Sequence, residues 1–140
     1  MNFNTEPGPE YTYREFRPTD GEIEGIDITH PIFGGTMEKD GAVVAYAGVN
    51  LIAGKHWAFF YIKDDNLRKT MWLMRLMRDS LAMLRKGGIK ELYVLCDTRV
   101  PRATEFLKAL KFEPMKVYDK PIDVMVYENL MGAKAWRMEL

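Results

Sequence analysis

The sequence predicts an α/β domain, a mixed β-sheet of about six to seven strands with a long helix (about 67–86) and a second helix (about 101–110) packed on it. Three observations carry this expectation. Apolar runs of strand length alternate with two stretches whose apolar residues recur at three- and four-residue steps. Asp40-Gly41, between two such runs, is a two-residue hairpin turn, because both residue types tolerate positive φ. Strand 56–62, helix 67–86 and strand 89–96 make a βαβ unit, which requires two parallel strands bridged by the helix.

Residues 1–10 (MNFNTEPGPE) hold two prolines and little to bury, and read as an N-terminal arm. In YTYREFR, Tyr11, Tyr13 and Glu15 alternate with Thr12, Arg14 and Phe16, a strand pattern ended by PTDGE. Residues 21–35 are acidic and interrupted by Pro31, Gly34 and Gly35, which leaves room for one short helix. The run Ala42 to Ile52 is apolar on both faces and reads as a buried central strand, bulged at Gly48. GK at 54–55 turns the chain into HWAFFYI, a further buried strand rich in aromatics.

Asp65 or Asn66 can cap the long helix by accepting a backbone N–H. Leu67, Met71, Met74, Met77, Leu81 and Leu84 form its buried face, with Arg68, Arg75, Asp79 and Lys86 opposite. Gly87-Gly88 end it as a glycine cap. IKELYVLC is the next buried strand. Pro101 suits the first turn of the second helix, whose stripe is Ala103, Phe106, Leu107 and Leu110. MKVY, a turn at DKPID and VMVYE read as a closing hairpin. The expected organisation is therefore an arm (1–10), one domain (11–128) and a tail (129–140) with exposed Leu130, Met131, Trp136, Met138 and Leu140.

The 140 residues fit one domain with a real core. Net charge is zero, which gives no global case for binding a membrane or nucleic acid. The charge is unevenly placed: residues 1–40 carry nine acidic and three basic side chains, whereas 66–111 carry eleven basic and four acidic. The basic half can accept an anionic cofactor or an acidic partner. The lone Cys96 excludes an internal disulfide and suits a reducing compartment. No apolar run has the length of a membrane-spanning helix, and Met1 to Tyr11 lack a signal-peptide apolar region, so a cytoplasmic location is expected. His30, His56 and Cys96 form no metal-ligand spacing, and no metal is expected.

Chemistry is first suggested by KDDNLRKT, at the start of the long helix. Free backbone N–H groups, the positive end of the helix dipole, Arg68 and Lys69 coincide there, a combination that can hold a phosphate. The stretch has no glycine to let a ligand approach the backbone closely. The element order, with the register of GGIKELYVLCD…ATEFLKALKFEPM, resembles the GNAT (Gcn5-related N-acetyltransferase) superfamily over residues 11–128. In that family the sheet splays between its fourth and fifth strands, here 56–62 and 89–96, and acetyl-CoA lies in the opening. The pyrophosphate rests at the start of the next helix, on the motif R/Q-x-x-G-x-G/A. Here that position spans about Arg68 to Trp72, with Lys69, Thr70, Met71 and Trp72 in place of the glycine-bearing turn. The resemblance thus makes Ile62, Arg68, Lys69 and Thr70 the cofactor-binding candidates, with Met71 or Trp72 as plugs if the cleft is filled.

The family's second helix reads N-x-x-A-x-x-x-Y-x-x-x-G-F, its tyrosine protonating the departing CoA thiolate. Matching Ala103 and Phe112 puts Val100 at the asparagine, Leu107 at the tyrosine and Lys111 at the glycine. A leucine cannot be a general acid. Small size, the degenerate phosphate turn and the FLK helix resemble the GNAT-like internal virion or assembly proteins of short-tailed bacteriophages. The resemblance implies acetyl-CoA-dependent N-acetyl transfer to an amine on degenerate motifs. The alternative is a catalytically silent phage virion, assembly or host-interaction protein, found in the host cytoplasm and virion. It would reach a protein partner through the arm and tail, or form an oligomer.

For direct attack of an amine on the thioester, the base is sought among His56, Asp64 and Asp65, and Tyr61 can donate a proton. Each also has a structural role: His56 starts its strand away from the cleft, the two aspartates suit helix capping, and Tyr61 suits the core. Cys96 lies beside the cleft and is read as a buried structural thiol. An accessory role in nucleic-acid binding has little support, because no aromatic–basic stripe is present.

Overall fold

The computed structural model describes residues 11–21, 33–63, 71–97, 99–100 and 102–140. The seven strands among them are β1 (Tyr11–Glu15), β2 (Phe33–Lys39), β3 (Ala42–Ile52), β4 (Lys55–Ile62), β5 (Glu91–Cys96), β6 (Glu113–Pro114) and β7 (Lys134–Glu139). The helices are α1 (Pro18–Gly21), α2 (Met71–Lys86), α3 (Ala103–Ala109) and α4 (Ile122–Met131), with a 3-10 turn at Val117–Asp119. The strands form one sheet in the order β1-β2-β3-β4-β5-β7-β6. Every neighbouring pair is antiparallel except β4–β5, which is parallel as the βαβ reading requires. This is the predicted α/β class.

The β2–β3 hairpin turns at Asp40 (φ 52°) and Gly41 (φ 81°), the positive-φ pair the sequence announces. The bulge is not at Gly48. Met37 pairs with Ala45 and Glu38 with Val43, so Val44 is the extra residue. Gly48 is required for a different reason: a Cβ there would run into the Phe59 ring and the Phe33 carbonyl oxygen.

On one sheet face Met77 and Leu84 of α2 and Leu107 of α3 pack with Ala45, Val49, Ala58, Leu92 and Val94. Met74 and Leu81 join them, while Arg75, Asp79 and Lys86 face solvent, as the helical period predicts. On the other face Trp57, Tyr93, Val124 and Ala135 form a second cluster, and Phe16 with Tyr46 a third. Among the described residues no helix is long and apolar enough to cross a membrane. No group of His, Cys, Asp or Glu among them is placed to hold a metal.

The predicted closing hairpin is wrong. VMVYE lies in α4, where Val124, Tyr127 and Glu128 take the three- and four-residue spacing of a face laid on the sheet. Pro121 precedes the first turn, and Gly132, at φ 64°, ends the helix in the left-handed conformation. Nor does the chain from 134 onward form a detached tail. Lys134–Glu139 is β7, inserted between β5 and β6, with Ala135, Trp136 and Met138 buried. A strand flanked on both edges and covered on both faces loses the simple inside–outside alternation, so AKAWRME has no clear strand signature. The expected arm (1–10) lies outside the described residues.

Candidate functional site

β4 is paired with β3 along its whole length, from Ile52↔Lys55 to Ala45↔Ile62. With β5 it shares only Trp57↔Tyr93 and Ala58↔Val94. Beyond that point β5 stays with β7, through Leu95↔Ala135 and Cys96↔Lys134. The two strands therefore diverge, and a cleft of about 440 Å³ opens between them. Its apex is Ala58 and Val94, its walls carry side chains from both sheet faces, and α3 borders it with Ala103, Phe106 and Leu107.

α3 is held there by packing. Phe106 meets the Phe60 ring edge-on at 5.7 Å, and Phe112 does so at 6.3 Å. Leu107, Leu110 and Phe112 are buried beneath it. Arg102 starts the helix in the left-handed conformation (φ 64°), and Lys111 leaves it in the same region (φ 75°). Lys111 is the position matched to the motif's glycine, so the turn keeps that backbone shape although a lysine occupies it.

The cleft is mostly apolar, and its polar side chains are Tyr46, Asn50, Tyr61, Cys96, Asp97 and Tyr127. Asp97 is committed to Arg99. Two side-chain hydrogen bonds of 2.9 Å and the Arg99 backbone N–H at 3.0 Å hold its carboxyl below the usual carboxylate range. Burial pushes the Tyr127 phenol up, and its ring packs 4.9 Å from Trp57. Cys96 is buried at the end of β5, its Sγ 3.8 Å from Thr104 Oγ1. The cleft so composed is suited to holding an elongated ligand with an apolar body. Past Ala58 the β4–β5 ladder has ended, and the edge of β4 at Phe59 and Phe60 borders the opening.

Of the residues singled out in the sequence, Tyr61 and Ile62 line the cleft, as do Cys96, Val100 and Leu107. His56 does not. It pairs with Leu51 at the other end of β4, beside the β3–β4 turn, as its place at the strand's start suggests. Asp64, Asp65, Asn66, Arg68, Lys69 and Thr70 lie outside the described residues, as do the side chains of Met71 and Trp72. Trp57, Asn50 and Tyr127 also line the cleft and were not singled out, and Met131, expected as an exposed tail residue, lines it too. Tyr127 and Met131 come from α4, and their four-residue separation, with Val124 three before Tyr127, was the available helical signal.

No protein-family model matches the chain, and no curated protein does. Solved structures do match in fold. One is an acetyltransferase of the GNAT family from Staphylococcus aureus Mu50, at a TM-score of 0.61 and 11% identity, covering 93% of this chain and 99% of that one. Ard1 from Thermoplasma volcanium matches at 0.59 and 17%, over 94% and 98%. The PaiA N-acetyltransferase from Thermoplasma acidophilum, solved in complex with coenzyme A, matches at 0.54 and 13%, over 87% and 66%. At these identities the likeness is one of fold: the chain has the GNAT fold.

Proposed function

We propose that the β4–β5 cleft takes the acyl-bearing arm of acetyl-CoA, and that the protein is an N-acetyltransferase-like binder of that thioester with minimal acid–base equipment. The observation that carries this reading is the opening itself. The parallel ladder stops after two pairs, leaving about 440 Å³ lined mainly by apolar groups beside a strand edge. That shape and chemistry fit a narrow arm that alternates methylene and amide groups. The bound thioester would supply an activated acetyl carbonyl to an amine.

What this chain's own residues contribute is limited and specific. Ala58 and Val94 form the floor, and their small or branched side chains keep the apex open. Phe106 and Leu107 exclude water along the α3 side. Asp97, neutralised by Arg99, is a poor proton acceptor. Tyr61 lines the cleft from β4, its ring 5.1 Å from that of Tyr46. Leu107, at the position matched to the family's acid, offers no proton to a leaving thiolate.

Leu107 also favours a second reading, in which the cleft binds but does not turn over. The chain is then a catalytically silent GNAT-like protein of a bacteriophage particle or its host interactions, with a protein partner. Calorimetric titration with acetyl-CoA, and separately with CoA, tests the shared premise, and a search for acetylated amines separates the two readings. Micromolar binding that weakens at least tenfold in an Arg68→Ala/Lys69→Ala variant supports the site. No heat at millimolar ligand would sink both acetyl-CoA readings.

A further inference from the structure

Helix α4 has two apolar faces, and the sheet covers one of them. Val124 and Glu128 are buried and Tyr127 is half-buried against the sheet. On the opposite side Ile122 (79% exposed), Met125, Val126 and Leu130 (76%) recur at i, i+3, i+4 and i+8, with Asn129 at i+7. That is the spacing of a helix face meant for a core, and a helix apolar all round is ordinarily buried all round. The 3-10 turn just before it adds Val117 and Tyr118, both more than 70% exposed. Of the other exposed large apolar side chains on described residues, Met131 ends α4 on the cleft side, and the rest sit on different elements: Tyr13 on β1, Leu51 on β3, Met83 on α2, and Val100 at the cleft.

We propose that this face is the interface of a homodimer, with α4 packed against α4 of a second copy about a two-fold axis. Area is the first argument. The exposed apolar side chains of residues 117–130 present on the order of 700–800 Å², about what each partner contributes to a standard stable interface. Charge is the second. A two-fold axis sets a patch against itself, so any uncompensated charge would oppose its own copy. Here Asp123 is paired with Lys55 at 2.7 Å, and Glu128 with Lys120 at 2.8 Å. Among the described residues, Asp119, in the turn with Val117 and Tyr118, is the one charged side chain of 117–131 outside an ion pair. An acidic or basic partner finds little to recognise on such a face, whereas an identical apolar face fits it. Asn129, at i+7 in the stripe, is the residue type that fixes register by bonding to its own copy across such an axis.

Sedimentation of the intact chain over the micromolar range provides the test. The wild-type protein is expected at twice the mass of one chain. Val126→Lys, at a half-exposed position, and Ile122→Lys, at a largely exposed one, are each expected to halve that mass while the circular dichroism spectrum is unchanged. Met83→Lys, on α2, is expected to leave the dimer intact. As a second readout, Asn129→Cys in a Cys96→Ser background is expected to form an intermolecular disulfide on mild oxidation. A monomeric wild type, or a dimer that both α4 variants leave undisturbed, would overturn the proposal.

Discussion

The β4–β5 opening divides the sheet into two halves that are pinned by buried charge in different ways. In the first, β1 to β4, Asp20 is 4% exposed and accepts four hydrogen bonds. Two come from Arg14 (2.9 and 2.7 Å), one from the Arg17 backbone N–H (2.8 Å) and one from Thr36 Oγ1 (2.8 Å). In the second, β5 to β7, Glu128 is 7% exposed and has two partners, Lys120 Nζ at 2.8 Å and the Ala135 N–H at 2.6 Å. Asp20 fastens α1 to β1 and β2, whereas Glu128 fastens α4 and the 3-10 turn's exit to β7. The backbone ladder joins the halves through two residue pairs, and the Lys55–Asp123 ion pair and the Trp57–Tyr127 ring contact also cross the seam. Each half thus carries its own clamp, and the cleft can stay open because neither depends on closing it.

Breaking the denser clamp is expected to cost most. Asp20→Ala leaves Arg14 with Glu38 and the Glu15 carbonyl alone and strands the buried Thr36 hydroxyl and the Arg17 N–H, a loss of about 4 kcal/mol in denaturant unfolding. Acid provides an independent check. Burial alone would raise the Asp20 pKa, but its partners bring it down to about 2 from 3.8. A depressed carboxyl stabilises the fold fully above its unfolded pKa, and that contribution disappears as pH falls through the folded value. About 2 kcal/mol should therefore fade between roughly pH 4 and pH 2 in the wild type and be absent from Asp20→Ala. An identical acid profile in both proteins would remove Asp20 from the account.

Glu128→Ala is the next largest, at about 3 kcal/mol, because two partners are stranded rather than several. Here too burial opposes ionisation, and the Lys120 pair with the Ala135 N–H holds the carboxyl below its ordinary range. The comparison sharpens in the double variant. The two clamps share no partner, so the two losses are expected to add within about 0.5 kcal/mol. A coupling well beyond that would mean the halves communicate across the cleft.

The first half was largely legible in the sequence, because its signals are local. Asp40-Gly41 specifies a turn without help from elsewhere, and the apolar run from Ala42 to Ile52 has no other economical reading. The helix stripe of Met74, Met77, Leu81 and Leu84 likewise announces its face. In the second half β5 and the helix after it were read, but the chain beyond residue 114 was misread because its elements are decided by long-range contacts. Val124 and Val126 have strand propensity, yet α4 forms because Val124, Tyr127 and Glu128 meet the sheet together. Lys134–Glu139 is a strand because β5 and β6 flank it, a fact no window of six residues contains. The site divides in the same way. Leu107 and Ile62 were reached through motif register, while Tyr127 and Met131 were missed with the helix that carries them.

The smallest expected change in stability comes at the seam itself, and it bears most directly on function. Leu107 belongs to the core cluster but also borders the cleft, so a phenol ring there can extend into existing space. Leu107→Tyr is expected to shift unfolding by less than about 1 kcal/mol, below the usual cost of overpacking. Its hydroxyl would stand where the family motif places a proton donor. If the cleft holds acetyl-CoA as proposed, amine acetylation should rise by about 100-fold or more, the ordinary yield of a positioned general acid. Leu107→Phe is the matched control, equal in ring size and lacking the proton. A gain in the tyrosine variant alone would identify the missing acid as the limiting deficiency. Equal rates in both variants, with binding of acetyl-CoA intact, would mean that the cleft holds the thioester without presenting it to an amine, as the silent reading requires.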